Sequence, residues 1–448
     1  MNIIKKSRFI AHIILCLTAG FAASAQESVP TPFEKLITKA DSLDSSLRIL
    51  QRLKITGYVQ AQYQYAQADA DGISFKQHGK ANAYEKSHNT DYSRFAIRRG
   101  RLKFVYEEGI ASAVAQVDIT DKGLSTKDIY LQVKDPISGR NMLKAGMFYR
   151  PFGHEFMLSS SRRESPERTR ISQIMFPDEL DLGFMLTLQP PKNSALAALR
   201  LDAGWFTGNG IRPQVVSRMD FVAHLYGSHT FGNSISIGGG ISAYLGGVFQ
   251  NDSSIFMMDN GKFMLHDKNA NRIGRYAPRQ YFGADFQYAQ FTAAGLTQIR
   301  LEYVAGKHPG NAAGAYDYRF SALPAAGEIY LRPIAGGYIS VAQDLGPVPL
   351  TAVARYDFFD PNTDVSSNNI GADGSRTGAG DVAMHSLGCG LLWKINQTLR
   401  LTAYYELVKN ETTAQIPSVA SENGSTYIAG YDSDRRDNVF TLRLQYTF

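Results

Sequence analysis

Residues 439–448 read Val-Phe-Thr-Leu-Arg-Leu-Gln-Tyr-Thr-Phe. Phe440, Leu442, Leu444, Tyr446 and Phe448 alternate with Val439, Thr441, Arg443, Gln445 and Thr447. A period of two sends alternate side chains to opposite faces of a β-strand, one face mainly apolar and one mainly polar. The same alternation recurs upstream. In 54–66, Ile55, Val59, Ala61, Tyr63 and Tyr65 oppose Thr56, Gln60, Gln62 and Gln64. In 126–134, Ile129, Leu131 and Val133 oppose Asp128, Tyr130, Gln132 and Lys134. In 296–305, Ile299, Leu301 and Tyr303 oppose Gln298, Arg300 and Glu302. In 398–408, Leu399, Leu401, Ala403, Tyr405 and Leu407 oppose Arg400, Thr402 and Glu406. These are half-apolar strands, not the fully apolar ones of parallel sheets.

Sixteen such segments run along the chain: 54–66, 92–107, 110–120, 126–135, 140–150, 180–190, 196–207, 215–230, 234–247, 279–290, 295–306, 327–344, 349–360, 383–395, 398–410 and 436–448. Most exceed the five or six residues usual in soluble sheets and match the length at which a tilted strand spans a bilayer. Connectors alternate in length. Pro136 to Gly139 and Asn396-Gln397 are tight, while 67–91, 248–278, 307–326, 361–382 and 411–435 are long and polar. Short turns at one end and long loops at the other are the pattern of outer-membrane barrels. The expected fold is an all-β, transmembrane, antiparallel β-barrel of about 16 strands, preceded by a short periplasmic helix.

Composition agrees. The chain has 448 residues, 20% charged and 11% aromatic, with two cysteines. The aromatic content excludes disorder, and two cysteines exclude a disulfide scaffold. Mean hydropathy is −0.22, too low for a multi-span helical protein, which needs several apolar runs of about 20 residues.

The first 25 residues read as a secretory signal peptide. Lys5, Lys6 and Arg8 precede an apolar run, and Ala23-Ser24-Ala25 is an A-x-A cleavage site. Cleavage would leave Cys389 as the sole cysteine of the mature chain. Residues 26–53 are expected to be a periplasmic helical or coiled-coil segment, and 54–448 the barrel. Phe33, Leu36, Ala40, Leu43, Leu47 and Leu50 alternate spacings of three and four, a heptad stripe. It suits an amphipathic helix against a domain as well as a short coiled coil between identical chains.

The formal charge of +6 is less informative than where the charges sit. Three of the positive charges belong to the signal, leaving 44 basic against 41 acidic residues. Residues 94–103, Arg-Phe-Ala-Ile-Arg-Arg-Gly-Arg-Leu-Lys, hold five basic residues and no acid. Phe95 and Ile97 share one face, but beyond Gly100 the apolar parity shifts to Leu102, Phe104 and Tyr106. A parity change at a glycine predicts a β-bulge there. Such a bulge would let Arg98 and Arg99 both face the lumen, whereas an arginine facing lipid at mid-depth costs about 2–4 kcal/mol. A secreted strand makes nucleic acid an unsuitable partner for this run.

A second cluster comprises Arg140, Lys144, Arg150, Arg162, Arg163, Arg168 and Arg170, against Glu155, Glu164 and Glu167. Most of it lies between two expected strands, where a long loop could fold inward and narrow the pore. Lumenal Arg and Lys select anions, and guanidinium matches phosphate or carboxylate oxygens in bidentate fashion. The same arginines could instead pair with acids and hold the loop against the wall. Candidate anion-pathway residues are Arg98, Arg99, Arg101, Lys103, Lys144 and Arg150. Candidate constriction-loop residues are Arg162, Arg163, Arg168 and Arg170.

The order of motifs resembles the phosphate-selective porin O and P family of Gram-negative outer membranes. Phe95 to Leu102 looks like its F-x-x-RR-x-R strand. Val117-Asp118 followed by Lys127-Asp128-Ile129-Tyr130-Leu131 looks like its D … DAYL pair, and Lys144 to Gly153 is similar to its GxFxxPFG turn. Asp181-Leu182-Gly183, Gly208-Asn209-Gly210, and Ala354 to Asp357 with Asp360-Pro361-Asn362 continue the resemblance. It implies a sixteen-stranded barrel, trimeric, with an inward loop and a lumenal ladder of basic residues. Gly100 and Glu179 depart from the family pattern, Glu179 standing where Arg commonly precedes Asp-Leu-Gly.

The expected function is passive diffusion of small anions through a water-filled lumen, phosphate-like ions foremost. The expected partners are outer-membrane lipid, two further copies of the chain, and the barrel-assembly machinery through Phe448. A general channel without phosphate selectivity is the nearest alternative. A hydrolase or a non-conducting adhesive barrel is an alternative of another class. Histidines 78, 88, 154, 224, 229, 266, 308 and 385 show no metal-ligand spacing on one element, and no Gly-x-Ser-x-Gly is present. No enzyme activity, cofactor, metal or nucleic acid is expected.

Overall fold

The computed structural model describes residues 39, 51–70, 91–176, 179–214, 216–232, 234–252, 254–266, 273–312, 327–420 and 427–448. The expected signal peptide lies outside the described residues. So does the heptad segment, apart from Lys39, Gln51 and Arg52, which are helical. The chain divides after Arg52, and Leu53–Phe448 forms one unit.

That unit is a closed barrel. Its strands are β1 Leu53–Ala66, β2 Tyr92–Glu108, β3 Ala111–Thr120, β4 Gly123–Lys134, β5 Met142–Tyr149, β6 Leu180–Leu188, β7 Leu199–Phe206 and β8 Asp220–Phe231. They continue as β9 Ile235–Phe249, β10 Tyr276–Thr292, β11 Gly295–Gly310, β12 Ile329–Asp344, β13 Leu350–Asp360, β14 Met384–Lys394, β15 Leu399–Asn410 and β16 Val439–Thr447. Each pairs antiparallel with its neighbour in sequence, and β16 returns to β1. Every expected strand is present with ends shifted by a few residues. The largest shift is at β8, expected from 215 and beginning at Asp220.

The period-two pattern explains which way the wall faces. Ile55, Val59, Phe95, Leu131, Leu186, Ile241, Phe286, Leu387, Leu407 and Leu444 are exposed on the outside. Their alternates, such as Gln60, Gln62, Gln64, Arg99, Arg101 and Arg443, are buried inside. Connectors 109–110, 232–234, 293–294 and 395–398 are short, and 67–91, 150–179, 250–275, 361–383 and 411–438 at the other end are long. The long connector 250–275 is not plain loop. Ile255–Asp259 and Lys262–Leu265 form a hairpin whose Ile255 pairs in parallel with Ile329. Val365, Ile370, Ala379, Val382, Ile416 and Tyr431, from two other long connectors, share a buried cluster.

The bulge exists, but two residues before the glycine expected to mark it. Gln60 faces Arg99 and Ala61 faces Ile97, so the extra residue is Arg98. Phe95 and Ile97 keep their outward positions, and Arg98 and Arg99 both turn inward. Leu102 and Phe104 then regain the outward face. Gly100 is instead a close approach: a Cβ there would lie 2.4 Å from the Ile119 carbonyl oxygen. A second bulge stands on β4, where Lys127 and Asp128 together oppose Gln116. It too turns two adjacent charges inward.

The seam closes at the chain end. Gly57 N–H donates to the Phe448 carbonyl at 2.9 Å, and Phe448 N–H donates to the Gly57 carbonyl at 3.0 Å. A Cβ on Gly57 would lie 2.6 Å from the Phe448 ring and 2.5 Å from the Arg101 carbonyl oxygen. Only glycine leaves room here for the terminal aromatic ring. Replacing Gly57 by Val forces overpacking, which costs about 1–3 kcal/mol. It should lower the fraction of heat-modifiable, compact barrel seen on unheated gels. An unchanged fraction would show that the seam tolerates a side chain at this position.

Candidate functional site

The connector 150–179 enters the barrel and crosses it. Two short helices, α1 His154–Met157 and α2 Arg170–Met175, flank its tip. Contacts place it against opposite walls. Ser160 Oγ lies 2.5 Å from the Tyr58 hydroxyl, and the Ser160 carbonyl accepts Gln60 Nε2 at 3.2 Å, both on β1. Gly153 N–H donates to Ser242 Oγ on β9 at 2.9 Å, and Arg170 Nε donates to Ser386 Oγ on β14 at 3.1 Å.

One end is fixed by apolar packing. Phe152, Phe156, Ile171, Ile174, Met175 and Phe176 join Phe148, Met185, Phe206, Val222, Tyr244, Tyr281, Val304, Ile334 and Phe359 in one buried cluster. Phe176 is its hub, with ring centroids 4.5 Å from Phe156, 5.6 Å from Phe152 and Tyr244, and 6.0 Å from Tyr281. Each large apolar side chain buried in this way is worth about 1.5–3 kcal/mol. Inward glycines make the room. A Cβ on Gly336 of β12 would lie 2.7 Å from Ile171 Cδ1, and one on Gly283 of β10 would lie 3.2 Å from the Phe152 ring.

The rest of the loop is fixed by charge. Glu167 receives Arg98 Nε at 2.7 Å, Arg99 Nη2 at 3.0 Å and Arg443 Nη2 at 2.8 Å. Its backbone carbonyl accepts Arg355 Nη1 at 2.7 Å. Burial alone would raise this carboxyl, but Arg98, Arg99 and Arg443 outweigh burial and hold it well below the ordinary carboxylate range. Glu179 is a second seat. It pairs with Arg168, lies 3.5 Å from Arg101 Nη2 and 3.9 Å from Lys127 Nζ, and accepts the Tyr149 hydroxyl at 3.2 Å. Its backbone is left-handed at φ 65°, unusual for a non-glycine residue. Glu164 pairs with Arg300 on β11 at 2.5 Å. Glu155 accepts the Thr169 N–H at 3.1 Å and the Thr169 and Ser172 hydroxyls at 2.6 and 2.7 Å. Glu302 on β11 accepts the N–H groups of His154 at 3.2 Å and Glu155 at 2.9 Å.

The structure thus sorts the predicted residues. Arg98, Arg99, Arg101 and Arg150 all face carboxylates, Arg101 meeting Asp118 at 3.2 Å and Arg150 meeting Asp181 at 2.9 Å. Arg168 is committed to Glu179, and the Arg170 guanidinium to Ser386, while the Arg170 backbone N–H donates to Asp357 at 3.4 Å. Arg162 is exposed. Lys103, Lys144 and Arg163 have no ion pair among the described residues. Lys144 Nζ instead lies 4.5 Å from the Tyr130 ring centroid and 5.1 Å from that of Phe148. Arg163 is the outlier: it is 3% exposed, and Nε, Nη1 and Nη2 all lack a hydrogen-bond partner among the described residues. Burial, then Arg168 and Arg99, pull it well below its ordinary value. Arginine keeps its proton in proteins, so the stress registers as an unmet demand for a counter-ion.

Several functional residues went unread in the sequence. Glu167 was visible only as an acid near arginines, and Arg300, Arg355 and Arg443 come from strands far along the chain. Alternation sets Arg300 and Arg443 on the polar face and could have done the same for Arg355, but it does not show what they meet. His224 Nε2 lies 2.9 Å from Asp285 Oδ2 and makes no bond to a hydroxyl or thiol among the described residues. Among the described residues no group of three or more His, Cys, Asp or Glu is placed to hold a metal.

No family model matches the chain, and no curated protein sequence matches it. Solved structures do. The high-pH structure of Pseudomonas putida OprB aligns with TM-score 0.54 at 10% identity, over 91% of this chain and 97% of that one. The anion-selective porin from Comamonas acidovorans aligns with TM-score 0.49 at 8% identity, over 88% of this chain and 99% of that one. Salmonella typhi OmpF in complex with daunomycin gives 0.49 at 11% identity, over 88% and 97%. At such identities the likeness is one of fold, and the first comparison shows that the two chains share a barrel fold.

Two outcomes follow from the anchoring. Glu167→Ala leaves three guanidinium groups without their acid. Breaking a buried pair from one side costs about 3–5 kcal/mol, read as a lower urea midpoint; no change would mean that the apolar end alone holds the loop. The pH response of wild type follows from the depressed Glu167 carboxyl. Its contribution is complete above the ordinary value of 4.5 and disappears only as pH falls well below it. Loop protection from protease should therefore persist from neutral pH to about 5 and fail in stronger acid. Separately, Gly336→Leu should release Ile171 and expose 150–179 to protease while the barrel stays folded.

Proposed function

We propose that the chain is a passive outer-membrane channel that favours small anions, phosphate-like ions foremost. The observation that carries this reading is Arg163, a buried guanidinium at the tip of an inward loop with no acceptor among the described residues. Arg99 and Arg168 stand close enough to add to its positive field. The Arg163 nitrogens are closed to the lumen, so the residue would act on a small oxyanion passing the tip through its positive field and not by direct contact. Lys103 on β2 and Lys144 on β5 also have no ion pair among the described residues. They would continue the path toward the short-turn end.

The outward apolar surface supports residence in a membrane, and barrel closure removes the open edges that lipid would not tolerate. The reading includes export by the 1–25 signal, recognition of the Phe448 strand by the barrel-assembly machinery, and a homotrimer.

A second reading is favoured by one observation. Arg98 and Arg99 share the Glu167 carboxylate, and Arg101 and Arg150 are paired with Asp118 and Asp181, which weakens the ladder implied by the family resemblance. On that reading the pore is a general channel of low selectivity.

Planar bilayers under a KCl gradient separate the two. The expected reversal potential has the sign of anion preference, and Arg163→Gln should move it toward zero with conductance retained. A cation-selective wild type, or no shift in Arg163→Gln, would overturn the assignment. Phosphate added to KCl should block chloride current in wild type and do so at least tenfold more weakly in the variant, about 1.4 kcal/mol of lost binding.

A further inference from the structure

The outer face of β10–β13 carries a groove of about 350 Å3 that the channel does not use. Ala284, Phe286, Leu301, Tyr303, Ile339, Tyr356 and Phe358 line it. Registers explain the hollow. Tyr303 faces Gly337, and Gly337 faces Phe358, so two aromatic rings flank a position without a side chain. A Cβ there would lie 2.5 Å from the Glu302 carbonyl oxygen, so the gap cannot easily be filled from Gly337 itself. Ala284, opposite Tyr303 on the other side, keeps the floor low.

The rim nearest the long loops is cationic. His385 faces Phe358 across the next strand pair, and Lys409 faces His385 beyond it. At a strand spacing of about 4.8 Å, Lys409 stands about 10 Å from Phe358. Lys307 lies four residues past Tyr303 on β11, about 13 Å nearer the long loops. Lys307 and Lys409 are exposed and have no ion pair among the described residues. His385 is exposed too, with Nδ1 2.8 Å from the Tyr356 hydroxyl. Asp360 is the one acid on this stretch of the outward face of β13.

We infer that this groove binds one acyl chain of a lipid whose phosphate headgroup carries net negative charge, in the leaflet on the long-loop side, with Lys307, Lys409 and His385 meeting the headgroup. Apolar aromatic walls below and unpaired cations above match an anionic amphiphile in one orientation only. An aromatic ring at the membrane interface accepts the chain–headgroup boundary. The groove faces away from the lumen, so its occupant is separate from any permeating solute. The inference rests on the barrel being membrane-embedded.

The test uses the full-length barrel purified in detergent, read by native mass spectrometry. The probes are bis-phosphorylated lipid A and, separately, phosphatidylethanolamine. One lipid A per chain should be retained at concentrations that leave phosphatidylethanolamine unbound. Ala284→Phe fills the floor and should reduce occupancy at least tenfold. Lys307→Gln with Lys409→Gln should lower lipid A to the phosphatidylethanolamine level. Equal retention of both lipids by wild type, or undiminished retention by Ala284→Phe, would overturn the groove as a site. Bilayer conductance separates the two levels. A barrel that conducts but retains no lipid A refutes the groove alone, whereas one that never inserts refutes the membrane reading and the groove with it. Compact migration on unheated gels confirms that each variant is folded.

Discussion

A single carboxylate, that of Glu167, ties the inside of this barrel together. Arg98 and Arg99 reach it from β2, and Arg443 reaches it from β16 on the other side of β1. The loop tip is therefore clamped across the same seam where the first and last strands meet. The far end is held differently, by aromatic and aliphatic packing around Phe176. One anchor answers to pH and partner charge. The other answers to apolar burial, whose strength depends on temperature. A loop pinned by two unlike forces is not released by a modest change in either alone.

This arrangement also decides which cations are available. Most inward arginines are spent on architecture, each facing an acid at hydrogen-bonding distance. In a poorly hydrated interior such pairs roughly balance attraction against desolvation, so their value lies in position more than in net stability. What they leave behind matters more. Fixing Arg98, Arg99, Arg101 and Arg168 around Glu167 and Glu179 places Arg163 among guanidinium groups with no acid of its own. The pairing and the unpaired site are two sides of one arrangement.

Much of the wall was legible from alternation alone. Leu399, Leu401 and Leu407 against Arg400, Thr402 and Glu406 needed only the two-residue period to declare their faces. The inward turn of both Arg98 and Arg99 was also readable, because the apolar parity changes between Ile97 and Leu102. The position of the bulge was misplaced. Parity shows that one residue is extra but not which one, and Gly100 is needed for a different reason, its approach to Ile119. The apolar half of the lumen was not legible. Tyr244, Tyr281, Val304 and Phe359 stand on inward positions where a barrel wall is expected to be polar. They are apolar because a loop far away in sequence covers them. Glu179 read as a departure from a family pattern and proves to be the second seat of the loop. Which acid meets which base depends on folding across the lumen, and spacing along the chain carries no trace of it.

The two bulges constrain how such a chain can change. β1 pairs with β16 in unbroken register, and with β2 in a register carrying one extra residue at Arg98. Losing one residue there would not merely remove a charge. It would also remove the bulge, leaving a regular strand in which Leu102 and Phe104 still face outward and Arg101 and Lys103 inward, because Arg98 is the residue without a partner on β1. The same holds for Lys127 and Asp128 on β4. In β2 and β4 the bulge is therefore the position where one residue can be lost without turning the wall inside out, whereas a loss at a paired position turns every later side chain to the wrong face.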